Sequence, residues 1–527
     1  MATAPLTEVR RVEILAMLSL ATDLGMALPF EHGLRSTLIA IRLADRLTLD
    51  PVDRIRVFDV CLLYYLGCTA NAADESDLFG DEIAMHRRVA PVAFGTPVQI
   101  ARASLPLLGG NRSLPRRLGL YTRMPSVMRR MREGSRAHCE VGELIGARLG
   151  LAGDAQADFR YLYESWRGNG FPGHAKGDQI PLPVRVAQVA RDADVQHGLG
   201  GVDRAAAVVG SRAGRMFDPD VASAFVAEAG SLLRDVDSES AWDAVVAADP
   251  DPVTLSGPAL DQAMETVADF VDLKSPGARR HSRTVAALAA DAADRLGLDR
   301  NQLYWAGLAH DLGRVAVSAG VWTKPGPLSS AQREEVRLHP YYTERILARL
   351  SLPGLAGCAA AHHERLDGSG YHRAVRGADL SAPARVLAAA DVYAAMADDR
   401  PYRPRFASSA IAEAIRNQAT AGVLDPASAA AVLEAAGHVR PKVTRPAGLS
   451  DREVEVLALL STGLATKQIA ARLGIAAKTA DRHIQNIYAK IGVSTRAAAA
   501  LVAMQHGLVA GAPGWGELPI EPPADSS

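Results

Sequence analysis

Apolar residues recur at intervals of three and four along most of the chain, which is the pattern of helices with one buried face. Two examples are HSRTVAALAADAADRLGL, which begins at His281, and AIAEAIRNQATAGVL, which begins at Ala410. Both are rich in alanine, which favours helix, and the alternating pattern of strands is nearly absent. The sequence therefore predicts an all-α protein.

The helical pattern occurs twice in the same order. The stretch EHGLRSTLIAIRLADRLTLD from Glu31 resembles RHSRTVAALAADAADRLGLD from Arg280, and RAHCEVGELIGARL resembles RLHPYYTERILARL. A third pair follows, YESWRGNGFPGHAKGDQIPLPVRVAQVARD from Tyr163 and HERLDGSGYHRAVRGADLSAPARVLAAADV from His363. We predict tandem helical bundles at residues 6–233 and 259–437, joined by an acidic linker at residues 234–258.

A different pattern begins after the second bundle. The segment GHVRPKVTRPAGLS carries prolines and basic residues, and it predicts a linker at residues 438–448. Residues 449–511 form a third predicted domain, which is followed by a tail at residues 512–527. The length of 527 residues fits about three domains of roughly 150 residues each.

The composition narrows the function classes. The 58 basic and 59 acidic residues nearly cancel, so a nucleic acid or a membrane surface would have to be bound by a local patch. The four cysteines are too few and too scattered for a disulfide framework, which indicates a reducing compartment. The N-terminus lacks a signal-peptide pattern, and no run approaches the roughly 18 apolar residues of a membrane span. We therefore expect a cytoplasmic protein without a membrane partner.

Ionisable residues interrupt the apolar helices of the second bundle, beginning with the adjacent His310 and Asp311 in LAHDLGR, which we call the HD pair. Imidazole and carboxylate groups together suit iron, manganese or a similar divalent ion. Seven such groups are enough for two metal ions if Asp311 bridges them. A single histidine of this kind is more often a core or surface residue, so the prediction depends on the whole set. The set is His281, His310, Asp311, His339, His362, His363 and Asp391.

These motifs resemble the HD-GYP group of the HD metal-dependent phosphohydrolases over roughly residues 260–437. The matching segments are DLKSPGARRHS, LAHDLGR, KPGPLSSAQREEVRLHP, HHERLDGSGY and ARVLAAADVYAAMADDRPYRP. The resemblance implies an all-α bundle with inward-pointing metal ligands, and an activity on cyclic di-GMP or a related cyclic dinucleotide. The expected catalytic residues are Asp311 and Arg314, and the expected substrate-binding residues are Arg314, Asp367, Gly370 and Tyr371.

The sequence departs from that family at three positions. Arg314 stands where most members carry lysine, and it keeps the charge while adding a fork suited to phosphate. His372 replaces the proline of the GYP signature, which puts a flexible residue able to carry charge in the substrate loop. Gly277 stands where some relatives place a glutamate for a third metal, so we expect two metals.

The first bundle keeps little of this chemistry. His32 and His138 match two ligands, but the HD pair falls within YYLGCTANA, the double histidine becomes Leu162-Tyr163, and the last aspartate becomes Arg191. Two isolated imidazoles cannot hold a binuclear centre, and an arginine beside them repels a metal. The first bundle is therefore expected to be a degenerate copy that acts as a ligand sensor or as a packing partner, and the second role is favoured.

Residues 449–511 resemble the LuxR-type helix-turn-helix, a four-helix domain. Ser450 and Glu453 match a capping box at the start of its first helix. The helix in AAKTADRHIQNIYAKIGV would enter the major groove of double-stranded DNA, and such domains usually form homodimers through the last helix, here STRAAAALVAMQHG. A protein-docking module is the alternative. The expected DNA-binding residues are Thr466, Lys467, Lys478, Thr479, Arg482, His483 and Lys490.

Together these features predict a transcriptional regulator that binds and hydrolyses a cyclic dinucleotide and couples that signal to DNA binding. A second hypothesis keeps the metal ligands but drops turnover, which leaves a metal or nucleotide sensor. A third hypothesis makes the two bundles a dimerisation scaffold for the helix-turn-helix.

Overall fold

The computed structural model describes residues 7–95, 97–110, 120, 124–237, 240–275, 280–400, 403–437, 448–506 and 508. The chain divides into two compact units, residues 1–439 and residues 440–527. Helices dominate both units, which confirms the predicted all-α class. Gly277, most of the predicted linker at residues 438–448 and the tail at residues 512–527 lie outside the described residues.

The first half of the N-terminal unit is built from eleven described α-helices. They are Arg11–Gly25, His32–Arg46, Pro51–Leu62, Ala72–Phe79, Glu82–Val89, Pro97–Ser104, Met124–Arg148, Gly153–Asp158, Leu182–Arg212, Pro219–Leu232 and Ala241–Ala248. The long helix Leu182–Arg212 is broken at Gly200 and Gly201, which have non-helical backbone angles. It packs against His32–Arg46, and the two helices enclose the core of this half.

The segment predicted as a linker, residues 234–258, contains regular structure. Ser240 caps the helix Ala241–Ala248 by accepting a hydrogen bond from the Asp243 backbone N–H, and this helix packs on His32–Arg46. Strand Thr254–Ser256 pairs antiparallel with strand Glu8–Arg10. The segment is therefore packed into the N-terminal unit, and the weak periodicity that suggested a linker reflects its short elements.

The second half of the N-terminal unit contains ten described α-helices. They are Gly257–Asp272, His281–Leu296, Arg300–Ala309, Ala319–Trp322, Ser330–Arg337, His339–Leu347, Leu355–Ala360, Ala382–Ala397, Ser408–Thr420 and Pro426–Ala436. Short polar side chains start several of them, as expected for N-caps. Asp299 accepts from the Gln302 backbone N–H, and Ser381 accepts from Ala384 with a proline in the first turn. Helix His281–Leu296 packs against Arg300–Ala309, Ala382–Ala397 and Pro426–Ala436 and lies at the centre of this half.

The C-terminal unit has four described helices, Asp451–Ser461, Thr466–Arg472, Ala477–Ile491 and Arg496–Gln505. The predicted capping box is present, because Ser450 accepts from the Glu453 N–H while Glu453 accepts from the Ser450 N–H. Ala497 to Met504 are buried, and their helix packs on Asp451–Ser461. Within the described residues, the last helix thus offers little free apolar surface for the homodimer that the sequence predicts, and dimerisation stays a prediction.

No single described helix is long and apolar enough to cross a membrane. One bent pair, Ala477–Ile491 with Arg496–Gln505, reaches the length and composition of a span when the two helices are taken together.

Candidate metal centre

His281 enters the site from the first residue of its helix. The preceding residue, Arg280, has a left-handed backbone with φ of 73°. Asp272 fixes this turn, because its carboxylate accepts from the Ser282 N–H at 3.1 Å and from the Ser282 hydroxyl at 2.7 Å. A cap of this kind satisfies donors at the start of a helix and sets the direction of its first side chain.

The HD pair stands where the helix Arg300–Ala309 ends and a tight turn begins. Thr343 donates to the His310 carbonyl at 2.9 Å and accepts from the Gly313 N–H at 2.9 Å, which joins the turn to the helix that carries His339. A Cβ at Gly313 would collide with the His339 carbonyl oxygen. Glycine is therefore required at position 313 for the HD turn to reach His339.

All seven predicted metal ligands converge into one group, which we call the histidine–aspartate cluster. Asp311 lies at its middle: one carboxylate oxygen is 3.3 Å from His339 Nε2 and 3.6 Å from His362 Nε2. The other oxygen is 3.5 Å from His310 Nε2 and 3.9 Å from His281 Nε2. The two oxygens thus face two different sets of imidazoles.

Asp391 completes the cluster from the helix Ala382–Ala397. One of its oxygens lies 3.1 Å from His281 Nε2 and 3.9 Å from His310 Nε2, and the other lies 3.5 Å from His363 Nδ1. All these residues are buried except His363, which is partly exposed. Two triads without a common residue have atoms close enough to share an ion, one of His281, His310 and Asp391 and one of His339, His362 and His363. A third triad, of His310, Asp311 and His362, has one residue in common with each of them.

Backbone carbonyls fix the tautomer of three imidazoles. The Nδ1 atoms of His310, His339 and His362 lie 2.8, 2.6 and 2.7 Å from the carbonyl oxygens of the residues three positions earlier. A carbonyl can only accept, so each Nδ1 carries the proton and each Nε2 presents a lone pair to the cluster. This is the arrangement by which proteins orient histidine ligands of metals.

The electrostatics of the cluster also favour cation binding. Burial alone would raise the pKa of Asp311, but His310, Arg314 and His339 outweigh it, and the pKa lies well below the usual range. Burial lowers the pKa of His362 far below its usual range and that of His363 to about 3. Asp311 is therefore ionised and His362 and His363 are neutral, which are the protonation states that bind metals.

The residues present fit a metal. His310 Nε2 is buried without a hydrogen-bond partner in the described part of the chain, and a buried polar atom of this kind is costly unless something satisfies it. Ions held by the two triads would satisfy this atom and the facing lone pairs, and the nitrogen and oxygen donors suit iron or manganese.

Asp398 belongs to the site although the sequence did not single it out. Its carboxylate is 2.9 Å from His281 Nδ1, on the far side of the ring from the cluster. Burial alone would lower the pKa of His281, but the hydrogen bonds to Asp391 and Asp398 outweigh it and raise the pKa to about 10. Its position seven residues after Asp391, two helical turns on, was the available signal.

Arg314 is buried at the edge of the cluster and engages Asp311. Its Nη1 donates to Asp311 at 2.8 Å, and its guanidinium lies 4.2 Å from the centre of the Trp322 ring. These contacts hold the arginine in one orientation beside the carboxylate. The predicted contact between Arg314 and a substrate phosphate stays a prediction.

The predicted substrate loop is divided between the cluster and the surface. Tyr371 stacks on His363, with ring centres 4.5 Å apart, and a Cβ at Gly370 would collide with the His363 carbonyl oxygen. Asp367 is exposed, and its carboxylate accepts from the backbone and hydroxyl of Ser369. No described contact joins Asp367 to the cluster.

Burial and Arg373 lower the pKa of His372, so this histidine is neutral near pH 7.

The first half of the N-terminal unit holds an arginine where the repeat aligns Asp391. Arg191 is buried, donates to the Cys61 carbonyl at 2.9 Å and lies 4.9 and 4.3 Å from the ring centres of Tyr64 and Tyr65. His32 Nδ1 lies 2.6 Å from the Asp194 carboxylate, so this imidazole is paired with a protein group.

One alignment of the repeat needs correction. The same 249-residue spacing separates the helix-capping aspartates Asp50 and Asp299 and the first-turn histidines His32 and His281. This spacing aligns the HD pair with Cys61 and Leu62, at the end of helix Pro51–Leu62, and not with YYLGCTANA. The prediction that neither residue of the pair is kept is unaffected.

In the C-terminal unit, the predicted DNA-binding residues lie on two helices. Lys467, Lys478, Thr479 and Arg482 are exposed, whereas Thr466 and His483 are partly buried. Lys490 is exposed, but its ammonium binds the buried Glu453 at 2.7 Å. This pair ties the helix Ala477–Ile491 to the start of the unit, so Lys490 has a structural contact that the sequence did not predict.

Comparison with protein-family models identifies two known domains. An HD domain matches residues 265–427, and the luxR family of bacterial regulatory proteins matches residues 447–503. The fold and the cluster thus define an HD-domain protein with an additional LuxR-family domain.

Similarity to curated proteins extends through most of the chain. The chain is 30% identical over 459 residues to the 3′3′-cGAMP-specific phosphodiesterase 3 of Vibrio cholerae, covering 84% of this chain and 97% of that protein. It is 29% identical over 373 residues to a cyclic di-GMP phosphodiesterase of Pseudomonas aeruginosa, covering 66% of this chain and 79% of that one. The chain belongs to the HD-GYP-type family of HD-domain proteins that contains these relatives.

A solved structure supports the fold. A crystal structure of a cyclic GMP-AMP specific phosphodiesterase of Vibrio cholerae matches with a TM-score of 0.57 and 24% identity, covering 82% of this chain and 99% of that chain.

Proposed function

We propose that the region 259–437 hydrolyses a phosphodiester bond of a cyclic dinucleotide with the aid of two divalent metal ions, iron or manganese. The observation that carries the proposal is the position of Asp311 between the two triads, with one oxygen toward His339 and His362 and the other toward His281 and His310. A carboxylate in that position can bridge two ions, and two-ion sites are typical of phosphodiester hydrolysis.

Each part of the chain would have a distinct task. The triad of His281, His310 and Asp391 would hold one ion and the triad of His339, His362 and His363 the other. The chemistry that such ions supply is the activation of water and the neutralisation of phosphate charge. Arg314 would keep Asp311 ionised and oriented, and it would place a further positive charge beside the reacting phosphate. Tyr371, stacked on His363, would flank the substrate.

The substrate class comes from the relatives. Their names assign 3′3′-cGAMP to one and cyclic di-GMP to another. We propose that this chain acts on the same class.

The test is turnover by the full chain, purified without oxygen. The protein is incubated with cyclic di-GMP and with 3′3′-cGAMP, and linear products are separated by chromatography. We expect cleavage of at least one of them, and loss of cleavage in Asp311→Asn. The matched control is Asp294→Asn, which changes an exposed aspartate paired with Arg300. Absence of cleavage by a protein that carries stoichiometric metal would contradict the proposal.

A sensor without turnover is the second candidate, and the state of Arg314 favours it. Its guanidinium is buried and already engaged with Asp311 and Trp322, so it has less freedom to follow charge that develops on a phosphate. Tight binding of a cyclic dinucleotide without product in the same assay would support the sensor.

We further propose that the C-terminal unit binds double-stranded DNA through helix Ala477–Ile491. The match to the luxR family and the exposed Lys478, Thr479 and Arg482 on the N-terminal half of that helix support this role. The test is the affinity of the full chain for duplex DNA over a series of salt concentrations. Lys478→Ala should weaken binding and lower the salt slope by about 1 if the lysine contacts a phosphate. An unchanged slope would contradict that contact.

We also propose that the first half of the N-terminal unit is a degenerate copy of the second. Asp23 binds the Gly33 N–H as Asp272 binds the Ser282 N–H. The buried Glu164 receives N–H groups of residues 173 and 174, and the buried Glu364 receives those of residues 373 and 375. The aspartate contacts have the same spacing in both halves, and the first contact of each glutamate does too, which supports duplication better than a shared alanine content does.

A further inference from the structure

A cavity of about 1040 Å³ lies in the first half of the N-terminal unit, apart from the histidine–aspartate cluster. Its walls come from Phe79, from residues 91–95 and 99–108, from the helix Met124–Arg148, from the loop 163–173 and from the helix Leu182–Arg212 with the turn that follows it. This volume is at the upper end of ligand sites, which are typically about 300–1000 Å³. The cavity can therefore hold a ligand of nucleotide size.

The charge of the lining has one sign. Five arginines and no carboxylate are among the lining residues described, and we call this cavity the arginine pocket. The arginines are Arg132, Arg167, Arg204, Arg212 and Arg215. The guanidinium of Arg212 forms an ion pair with the carboxylate of the buried Asp192. Among the ion pairs of the described residues, none involves Arg132, Arg167, Arg204 or Arg215.

Two of these arginines are held side by side by the backbone. The Arg167 N–H donates to the Arg215 carbonyl at 2.9 Å, which places the loop 163–173 against the turn after helix Leu182–Arg212. The side chains of Arg167 and Arg215 are exposed and therefore open to a ligand, and arginine forks are well suited to phosphate.

The rest of the lining is apolar and includes aromatic rings. Phe94 and Phe171 line the pocket, and the Arg132 guanidinium lies 6.0 Å from the centre of the Phe171 ring. Met124, Met128 and Met131 add flexible apolar surface from one helix. Flat rings beside arginines match a planar base that is attached to phosphate.

Among its described lining residues, the pocket lacks the groups that would cleave such a ligand. Tyr163, which the repeat aligns with His363, lines it, and its hydroxyl lies 3.1 Å from a ring nitrogen of His138. The position aligned with Asp391 is Arg191, which is buried under Tyr64 and Tyr65. A nucleotide in the pocket would therefore be bound and not hydrolysed.

We propose that the arginine pocket is a second ligand site, which binds a phosphate-bearing nucleotide without cleaving it. The phosphate lies between Arg167 and Arg215, and the base lies against Phe171. This proposal does not depend on metal binding or turnover at the histidine–aspartate cluster.

The test is direct binding of radiolabelled cyclic di-GMP, 3′3′-cGAMP and ATP to the full chain by equilibrium dialysis, with Asp311→Asn as the background that prevents turnover. We expect at least one probe to bind, and Arg167→Ala and Arg215→Ala each to weaken that binding at least about tenfold, as expected for loss of a charged hydrogen bond. The matched control is Arg129→Ala, on the same helix as Arg132, which removes an exposed arginine whose ion pair in the described residues is with Glu133.

Two results would overturn the proposal. One is the absence of binding by all three probes at millimolar concentration. The other is unchanged binding in Arg167→Ala and Arg215→Ala, equal to that of the control Arg129→Ala, since the probe would then occupy another site. Circular dichroism of each variant separates loss of binding from loss of folding. Failure of the turnover assay would leave these results intact, because they are read in a protein that does not turn over.

Discussion

The two halves of the N-terminal unit place opposite charges at aligned positions of two similar helices. Asp391 faces His281, His310 and His363 in one half, and Arg191 fills the corresponding place in the other. Similar helices thus carry a buried carboxylate in one half and a buried guanidinium in the other. We therefore expect the buried charge and the side chains that face it, and not the helical frame, to decide whether a metal binds.

The two sites also satisfy their buried charges differently. Arg191 is stabilised by protein groups alone, namely the Cys61 carbonyl and the faces of two tyrosine rings. The histidine–aspartate cluster instead leaves His310 Nε2 without a partner in the described residues and directs several lone pairs at a common space. The contacts of Arg191 need no added ion, whereas the side chains of the histidine–aspartate cluster are arranged so that they could hold cations.

Exchanging the two charges should have the largest effect. Asp391→Arg places a cation inside the cluster, so we expect loss of bound metal and a fall in turnover on the order of 10⁴-fold, as when a group of an interdependent catalytic set is removed. Arg191→Asp should not create a metal site, because the neighbouring Tyr64 and Tyr65 are poor ligands and burial raises the pKa of the Cys61 thiol to about 11. Metal analysis of both anaerobic preparations checks the pair. Metal retained by a protein that carries both Arg191→Asp and Asp391→Arg would contradict this expectation, because the metal would then be bound in the first half.

Replacing the buried Arg191 should have the next largest effect, which we expect on the free energy of unfolding. Arg191→Ala leaves a cavity between Tyr64 and Tyr65 and removes the cation near buried Asp23, whose pKa burial already raises to about 7. We expect the first half to lose about 4 kcal/mol of unfolding free energy. Denaturation followed by circular dichroism measures this loss, with metal content unchanged. A stable variant that loses metal would mean that the arginine acts on the cluster.

The sequence predicted the helices and the seven cluster residues because both depend on short patterns. Periodic apolar residues define a helix locally, and motifs such as LAHDLGR and HHERLDGSGY carry their ligands with them. Asp398, the pair of Lys490 with Glu453 and the arginine pocket could not be predicted in the same way. Each depends on which distant segments meet, as when Arg167 and Arg215 come together, and a single sequence does not contain that information.

A buried ion pair joins the two halves of the N-terminal unit. Breaking it should lower the free energy of unfolding somewhat less than Arg191→Ala does. Lys274 lies 3.3 Å from Glu82, and Glu82 also accepts from the Ser318 hydroxyl at 2.6 Å and the Ala319 N–H at 2.8 Å. Lys274 donates to the Val315 carbonyl at 2.6 Å, next to Arg314. Glu82→Gln removes the negative charge and leaves a buried ammonium unpaired, which should destabilise the unit by about 3 kcal/mol.

Thermal unfolding of Glu82→Gln measures that effect, with Glu335→Gln as an exposed control. If the junction also positions the HD turn, turnover should fall in Glu82→Gln at temperatures where the variant is fully folded. An unfolding midpoint equal to that of the control would mean that the pair adds nothing to the junction between the halves.

The smallest effect should come from Asp398, which touches the cluster only through His281. Asp398→Asn keeps the shape of the side chain but removes the carboxylate that binds His281 Nδ1 at 2.9 Å. Losing a partner that orients a metal ligand typically costs about 10–100-fold in metal affinity. Competition with a chelator of known affinity measures the change, and Asp399→Asn is the control, because Asp399 is exposed and accepts from the Arg405 N–H. Equal metal affinity in the two variants would show that the start of its helix orients His281 without help from Asp398.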